Sequence, residues 1–146
     1  MKKGVFTLLQ WTWGLPQTLI GSMLYMANRD KRHFDFNGAN VTIWDRSDGI
    51  SLGKFIFLPR MEAEARKDGS IVVSRELAEH EYGHSLQSMI LGPTYLLLVG
   101  LPSVLWSKLP YYQRKRKKTG RDYYSPVFEK TANSLSASAM RRKDTT

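Results

Sequence analysis

His80, Glu81 and His84 stand in His80-Glu81-Tyr82-Gly83-His84, the pattern H-E-x-x-H, which takes up two of the chain's three histidines. On a helix, side chains four apart lie one above the other, so both imidazoles face the same way and can bind one metal ion. Glu81, one step around the helix, is placed to take a proton from a water on that ion. This is the arrangement of a metal-dependent hydrolase. The chain has no cysteine, which excludes a disulfide framework, a thiol nucleophile and a thiolate site and leaves His and carboxylate as the metal ligands. A solvated helix that carries His and Glu without a metal is the other reading of the same residues.

Two histidines do not complete a catalytic zinc site, which takes three protein ligands and a water. The extended form H-E-x-x-H-x-x-G-x-x-H is excluded, because Gln87 and Ile90 stand where its glycine and third histidine belong. A glutamate on a later helix is the other common solution. Glu129, in Glu129-Lys130-Thr131-Ala132-Asn133, is the only carboxylate after position 84 besides Asp122 and Asp144. It is the candidate third ligand, with a surface or capping glutamate as the alternative. Asn133, one turn further on, can accept a hydrogen bond from a metal-bound imidazole and fix its tautomer. His33 sits in the polar cluster RDKRHFD and reads as an exposed loop histidine rather than a ligand.

HEYGH followed by Glu129-x-x-Ala132-Asn133 resembles the gluzincin metallopeptidases. In that group one helix gives two His and a catalytic Glu, and a second helix gives a Glu ligand. The stretches HEYGHSLQSMILGPTYLLLVGLPS and YYSPVFEKTAN are similar to small bacterial membrane-associated proteins with an HEYGH…QS…LGP…GLPS core and an E-K-x-A-D element. The resemblance covers about half the chain, roughly residues 74–133. It implies His80, His84 and Glu129 as zinc ligands, Glu81 as general base and a peptide or protein as substrate. Asn133 stands where that pattern has Asp, so it lacks the charge that raises histidine basicity. A non-catalytic membrane-associated or binding protein that keeps a vestigial or structural metal site is therefore the second reading.

These residues need a helix and a sheet to hold them. Ser74 is a suitable N-cap for a helix running to about Leu91, where Gly92-Pro93 stops it, and Gly83 leaves room for a close neighbour. Before it, residues 34–59 are strand-like around Asn37-Gly38, a pair suited to a tight hairpin, and KFIFL at 54–58 is stopped by Pro59. Residues 61–67 read as a short charged helix or loop, followed by a turn at Asp68-Gly69 and a brief strand at 71–73. The expected fold is α+β: one small zincin-like domain over residues 1–146, with a short β-sheet packed on the metal-bearing helix and two apolar helical segments.

Those segments are residues 8–27 and 89–106, both uncharged. Each reads either as a membrane-interface or membrane-embedded element or as a buried core helix, and a cleaved secretory signal is a further reading of the first. The net charge of +9 is unevenly placed. Residues 1–107 hold 11 basic and 10 acidic side chains, whereas residues 108–146 hold 11 basic and 3 acidic ones. Aromatic residues at Trp106, Tyr111 and Tyr112 followed by RKRKK at 114–118 suit an anionic membrane surface. Nucleic acid is the less favoured partner, since no helix-turn-helix, zinc finger or RNA-binding signature accompanies the basic run.

Overall fold

Asn37 and Gly38 both adopt positive φ, 57° and 96°, which is what the tight turn between two twisted strands requires. They join β1 (Arg32–Phe36) to β2 (Ala39–Trp44) in antiparallel register, with Phe36 opposite Ala39. β3 (Ile50–Leu52) and β4 (Phe55–Pro59) follow, and the sheet order is β1-β2-β4-β3. β2 and β4 run parallel and β3 returns antiparallel at the edge. This is a computed structural model, and it describes residues 2–60, 63–65, 71–120 and 126–144. Among them are six α-helices, so the architecture is α+β.

Both faces of the sheet are covered, which explains why all five residues of β4 are buried and read as a continuous apolar run. On one face Val41, Ile43, Ile56 and Leu58 pack with Phe6 of α1 (Lys3–Thr12) and with Ala78, Tyr82 and Leu86 of α3 (Arg75–Leu91). On the other, Trp44, Phe55 and Phe57 pack with Leu24 and Tyr25 of α2 (Leu15–Ala27). The helix with the H-E-x-x-H pattern therefore lies against the sheet, as expected. Ser74 caps it, accepting a hydrogen bond from the Leu77 amide, and Gly92 ends it at φ 56°.

Three expectations need correction. Within residues 61–67, Ala63–Ala65 is neither helix nor loop but a strand, β5, paired antiparallel with β6 (Ile71–Val73). Its partner supplies the ladder hydrogen bonds that make an extended chain favourable despite the charged composition. The turn at Asp68-Gly69 lies outside the described residues. Residues 8–27 are not one helix but two, α1 and α2, joined across Trp13 and Gly14. A Cβ on Gly14 would meet Gln10 Oε1 at 2.6 Å, so the close corner depends on glycine. His33 is on a strand rather than in a loop: it is partly buried on β1, bonded to Thr42 Oγ1 at 2.9 Å and packed on the Tyr25 ring. It has no part in the metal centre.

After α3 the chain passes through a 3-10 turn (Gly92–Thr94) and a π-helical turn (Leu96–Gly100) into α4 (Leu101–Lys108). The basic helix α5 (Pro110–Thr119) and the long α6 (Val127–Asp144) complete the chain. No helix among the described residues is long and apolar enough to cross a membrane.

Candidate metal centre

Every residue of α3 from His80 to Ser88 is buried, yet most of them are polar or glycine. A helix so placed is stable only if its polar groups find partners. Most of them do, and the partners come from three directions. Ser85 Oγ donates to the Gly53 carbonyl at 2.8 Å and lies 2.9 Å from Ser51 Oγ, tying α3 to the β3 edge. Gln10 of α1 donates to the Ser85 carbonyl and accepts from Ser88 Oγ, both at 2.8 Å. His80, His84 and Gln87 turn to α6, and Glu81 lines a cleft.

Glu129 is wholly buried in the first turn of α6. Its Oε2 lies 3.0 Å from His80 Nε2 and 3.3 Å from His84 Nε2. These three ligand atoms all fall within 4.8 Å of one another, so the group could hold a metal ion. The opposite nitrogens are also occupied: His80 Nδ1 is 2.7 Å from Asn133 Oδ1 and His84 Nδ1 is 2.7 Å from Gln87 Oε1. Gln87 Nε2 donates to the Phe128 carbonyl and to Thr131 Oγ1, both at 2.6 Å, which fixes the amide so that its oxygen faces the imidazole. An amide oxygen only accepts, so each ring carries a proton on Nδ1 and presents Nε2 to Glu129, as a donor to the carboxylate here and, once that proton is lost, as the lone pair a metal would take. That tautomer is the one a metal requires.

The chemistry of the donor set thus fits a divalent cation: two imidazoles with Nδ1–H held by an amide oxygen and one carboxylate held by a serine hydroxyl. Burial alone would push the Glu129 carboxyl up, but the hydrogen bonds from His80 and His84 outweigh it and hold it down at about 2. Burial opposes the charged form of His80, yet the Glu129 hydrogen bond and the Glu81 charge raise its pKa. Ser103 of α4 donates to Glu129 Oε1 at 2.8 Å, leaving Oε2 as the atom nearest both rings.

A cleft of about 500 Å³ reaches the two histidines and Glu81. Its walls are the loop and strand from Asp48 to Leu52, Tyr95 and Leu96, and α4 from Leu101 to Val104. Gly49 makes room for the Glu81 carboxylate, since a Cβ there would sit 2.5 Å from Oε1. Burial pushes the Glu81 carboxyl upward, against the pull of His84 and His80. At the rim Asp48 is paired with Lys108 at 2.9 Å.

The structure brings His80, Glu81, His84, Glu129 and Asn133 together, as their sequence positions suggested. Gln87, Ser103 and Gly49 were not legible as site residues. Gln87 follows His84 by three positions, a spacing that puts the two side chains on one helix face, whereas Ser103 and Gly49 carry no local signal. Replacing Gln87 by Met should weaken metal binding by about 10- to 100-fold without unfolding the protein. Titration against a competing chelator checks this, and unchanged affinity would show that the Gln87 contact is incidental. No known protein family, curated protein or solved structure matches the chain.

Proposed function

We propose that the protein is a zinc-dependent metallopeptidase that binds the ion with His80, His84 and Glu129. The observation that carries this reading is the convergence of two Nε2 atoms and one carboxylate oxygen, each backed by a hydrogen bond that sets its protonation state. A zinc ion there would supply a Lewis acid that lowers the pKa of water and polarises a carbonyl. Glu81 lines the same cleft; it takes the proton from the attacking water and returns it to the departing amine. Its burial favours the neutral form, which suits a group that must both accept and release a proton.

A structural zinc site is closed by four protein ligands, whereas a catalytic one keeps a position open. Only three candidate ligands converge, and two of them, His80 and His84, open onto a cleft, which supports the catalytic reading over a vestigial site. The peptide assignment is supported by the resemblance of His80-Glu81-x-x-His84 and Glu129 to the gluzincin pattern. Asn133 in place of an aspartate does not remove the hydrogen bond to His80, only its charge.

Metal analysis of the purified protein tests the centre directly. One equivalent of zinc, lost in His80→Ala, is expected. Less than about a third of an equivalent, unchanged by that substitution, would overturn the assignment.

A further inference from the structure

The α1–α2 hairpin has its polarity inverted. Its polar residues Gln10, Gln17 and Thr18 are wholly buried, while Leu8, Leu19, Ile20, Met23 and Met26 are exposed by 43% to 68%. Gln10 and Gln17 face inward because they satisfy the carbonyls of Ser85 and Gly92 at the end of α3. The apolar residues are left on the outside, where a protein in water gains nothing from them.

The same inversion continues on the neighbouring element. In the π-helical turn and α4, Leu97 is 70%, Leu98 58% and Leu101 51% exposed. The two elements are joined at Gly92, whose carbonyl accepts from Gln17 and against whose Cα the Trp13 ring packs. Neither 4–28 nor 85–107 contains an Asp, Glu, Lys or Arg. The result is an uncharged apolar surface spread over two adjoining elements, larger than scattered surface leucines would make.

The geometry points to an anionic lipid bilayer as the occupant of this surface, entered to headgroup depth and not crossed. Two further features select lipid. Trp11 and Trp13 are exposed at 39% and 53%, and tryptophan concentrates at the headgroup level of membranes. The surface then passes from Leu109 directly into α5, where Arg114, Lys117 and Lys118 are exposed. A basic helix beside an apolar one matches the negative surface of such a bilayer. A second copy of the chain would bring two basic α5 helices to one interface.

Docking in this way has a consequence for the cleft. Leu24 of α2 and Leu96, Leu101 and Val104 of the π-helical turn and α4 line it, and Leu101 and Val104 are also among the exposed residues of the docking face. The lipid-facing elements are thus one wall of the cleft, and its mouth opens at the bilayer surface. Substrates held at that surface reach it first.

Flotation of the full chain with vesicles tests the docking without reference to catalysis. The protein should float with vesicles of equal parts phosphatidylcholine and phosphatidylglycerol. Leu97→Glu with Leu98→Glu should reduce the bound-to-free ratio by about tenfold or more, and Arg114→Ser, Lys117→Ser and Lys118→Ser together by about a hundredfold. Vesicles of phosphatidylcholine alone should bind about as weakly as the triple variant does. Circular dichroism and melting temperature identify any variant that has unfolded. Quenching of Trp11 and Trp13 by brominated lipid, lost in Trp11→Phe with Trp13→Phe, gives the orientation without a charge substitution. Wild-type protein that stays at the bottom of the gradient overturns the proposal. So does equal binding to both lipid mixtures, or a dimer in solution that Leu97→Glu dissociates and that does not float.

Discussion

Glu81→Gln should keep its full complement of metal and lose peptide hydrolysis by roughly 10²- to 10⁴-fold, the range expected when a positioned general base is removed. The substitution is nearly isosteric, so the buried side chain still fills the space that Gly49 leaves for it. None of the three ligand atoms belongs to Glu81, and His80 and His84 keep their Asn133 and Gln87 partners. What is lost is the buried carboxyl beside the two histidines, the group placed to hold a proton and give it up again. Cleavage of a broad peptide library by both proteins, with zinc content measured in parallel, decides the matter. Equal cleavage by the two forms would mean that the activity belongs to a contaminant and that Glu81 is not the base. Loss of zinc together with activity would instead make Glu81 part of the binding site.

This outcome also separates the two readings that the sequence left open. A protein with a vestigial or structural metal site would bind zinc and cleave nothing in either form. The second reading turns on Asn133, an amide where the expected pattern has a charged aspartate. In the structure Asn133 makes the hydrogen bond that the aspartate would make, at 2.7 Å to His80 Nδ1. It also has a neutral counterpart, because His84 is held by the amide of Gln87. Both imidazoles are oriented by amide oxygens, so among the described residues Glu129 is the carboxylate in direct contact with them.

How far the sequence revealed this site follows from where each partner lies. Ser74, the H-E-x-x-H pattern and Gly92-Pro93 are local signals, and the α3 that they predict is the helix observed. The hairpin at Asn37-Gly38 was equally legible, because positive φ at both positions is a property of those residue types. Gln87 is detectable from its spacing after His84, although against the extended zinc motif it shows only as a missing glycine. Ser103 and Gly49 meet the site through tertiary packing, which no local pattern encodes. The same is true of α1 and α2: an uncharged stretch with scattered polar residues looked like an interrupted apolar helix. The polar positions are instead the inward face, because the end of α3 offers carbonyls that Gln10 and Gln17 satisfy.

Gly83→Val should cost about 3 kcal/mol or more of stability and lower metal affinity by at least about tenfold, and the two effects have one cause. At Gly83 the backbones of α3 and α6 touch: a Cβ built there would lie 2.1 Å from the Ala132 carbonyl oxygen. Ala132 is itself wholly buried, so neither helix can give way without moving as a body. Glu129 and Asn133 flank Ala132 on α6, just as His80 and His84 flank Gly83 on α3. Forcing the helices apart therefore stretches the Glu129 contacts at 3.0 and 3.3 Å and the Asn133 contact together. Gly83→Ala should show the same two losses in smaller measure, and Gly4→Ala, where nothing lies within 4 Å of the added Cβ, should show neither. In a thermal melt of a chain this size, 3 kcal/mol corresponds to a fall of roughly 10 °C. A Gly83→Val protein that melts normally and binds metal normally would mean that α6 is not fixed against α3, and Glu129 could then not be the third ligand. The glycine inside H-E-x-x-H and the alanine inside E-x-x-A-N are thus two halves of one contact, and the ligands on either side of them are set by it.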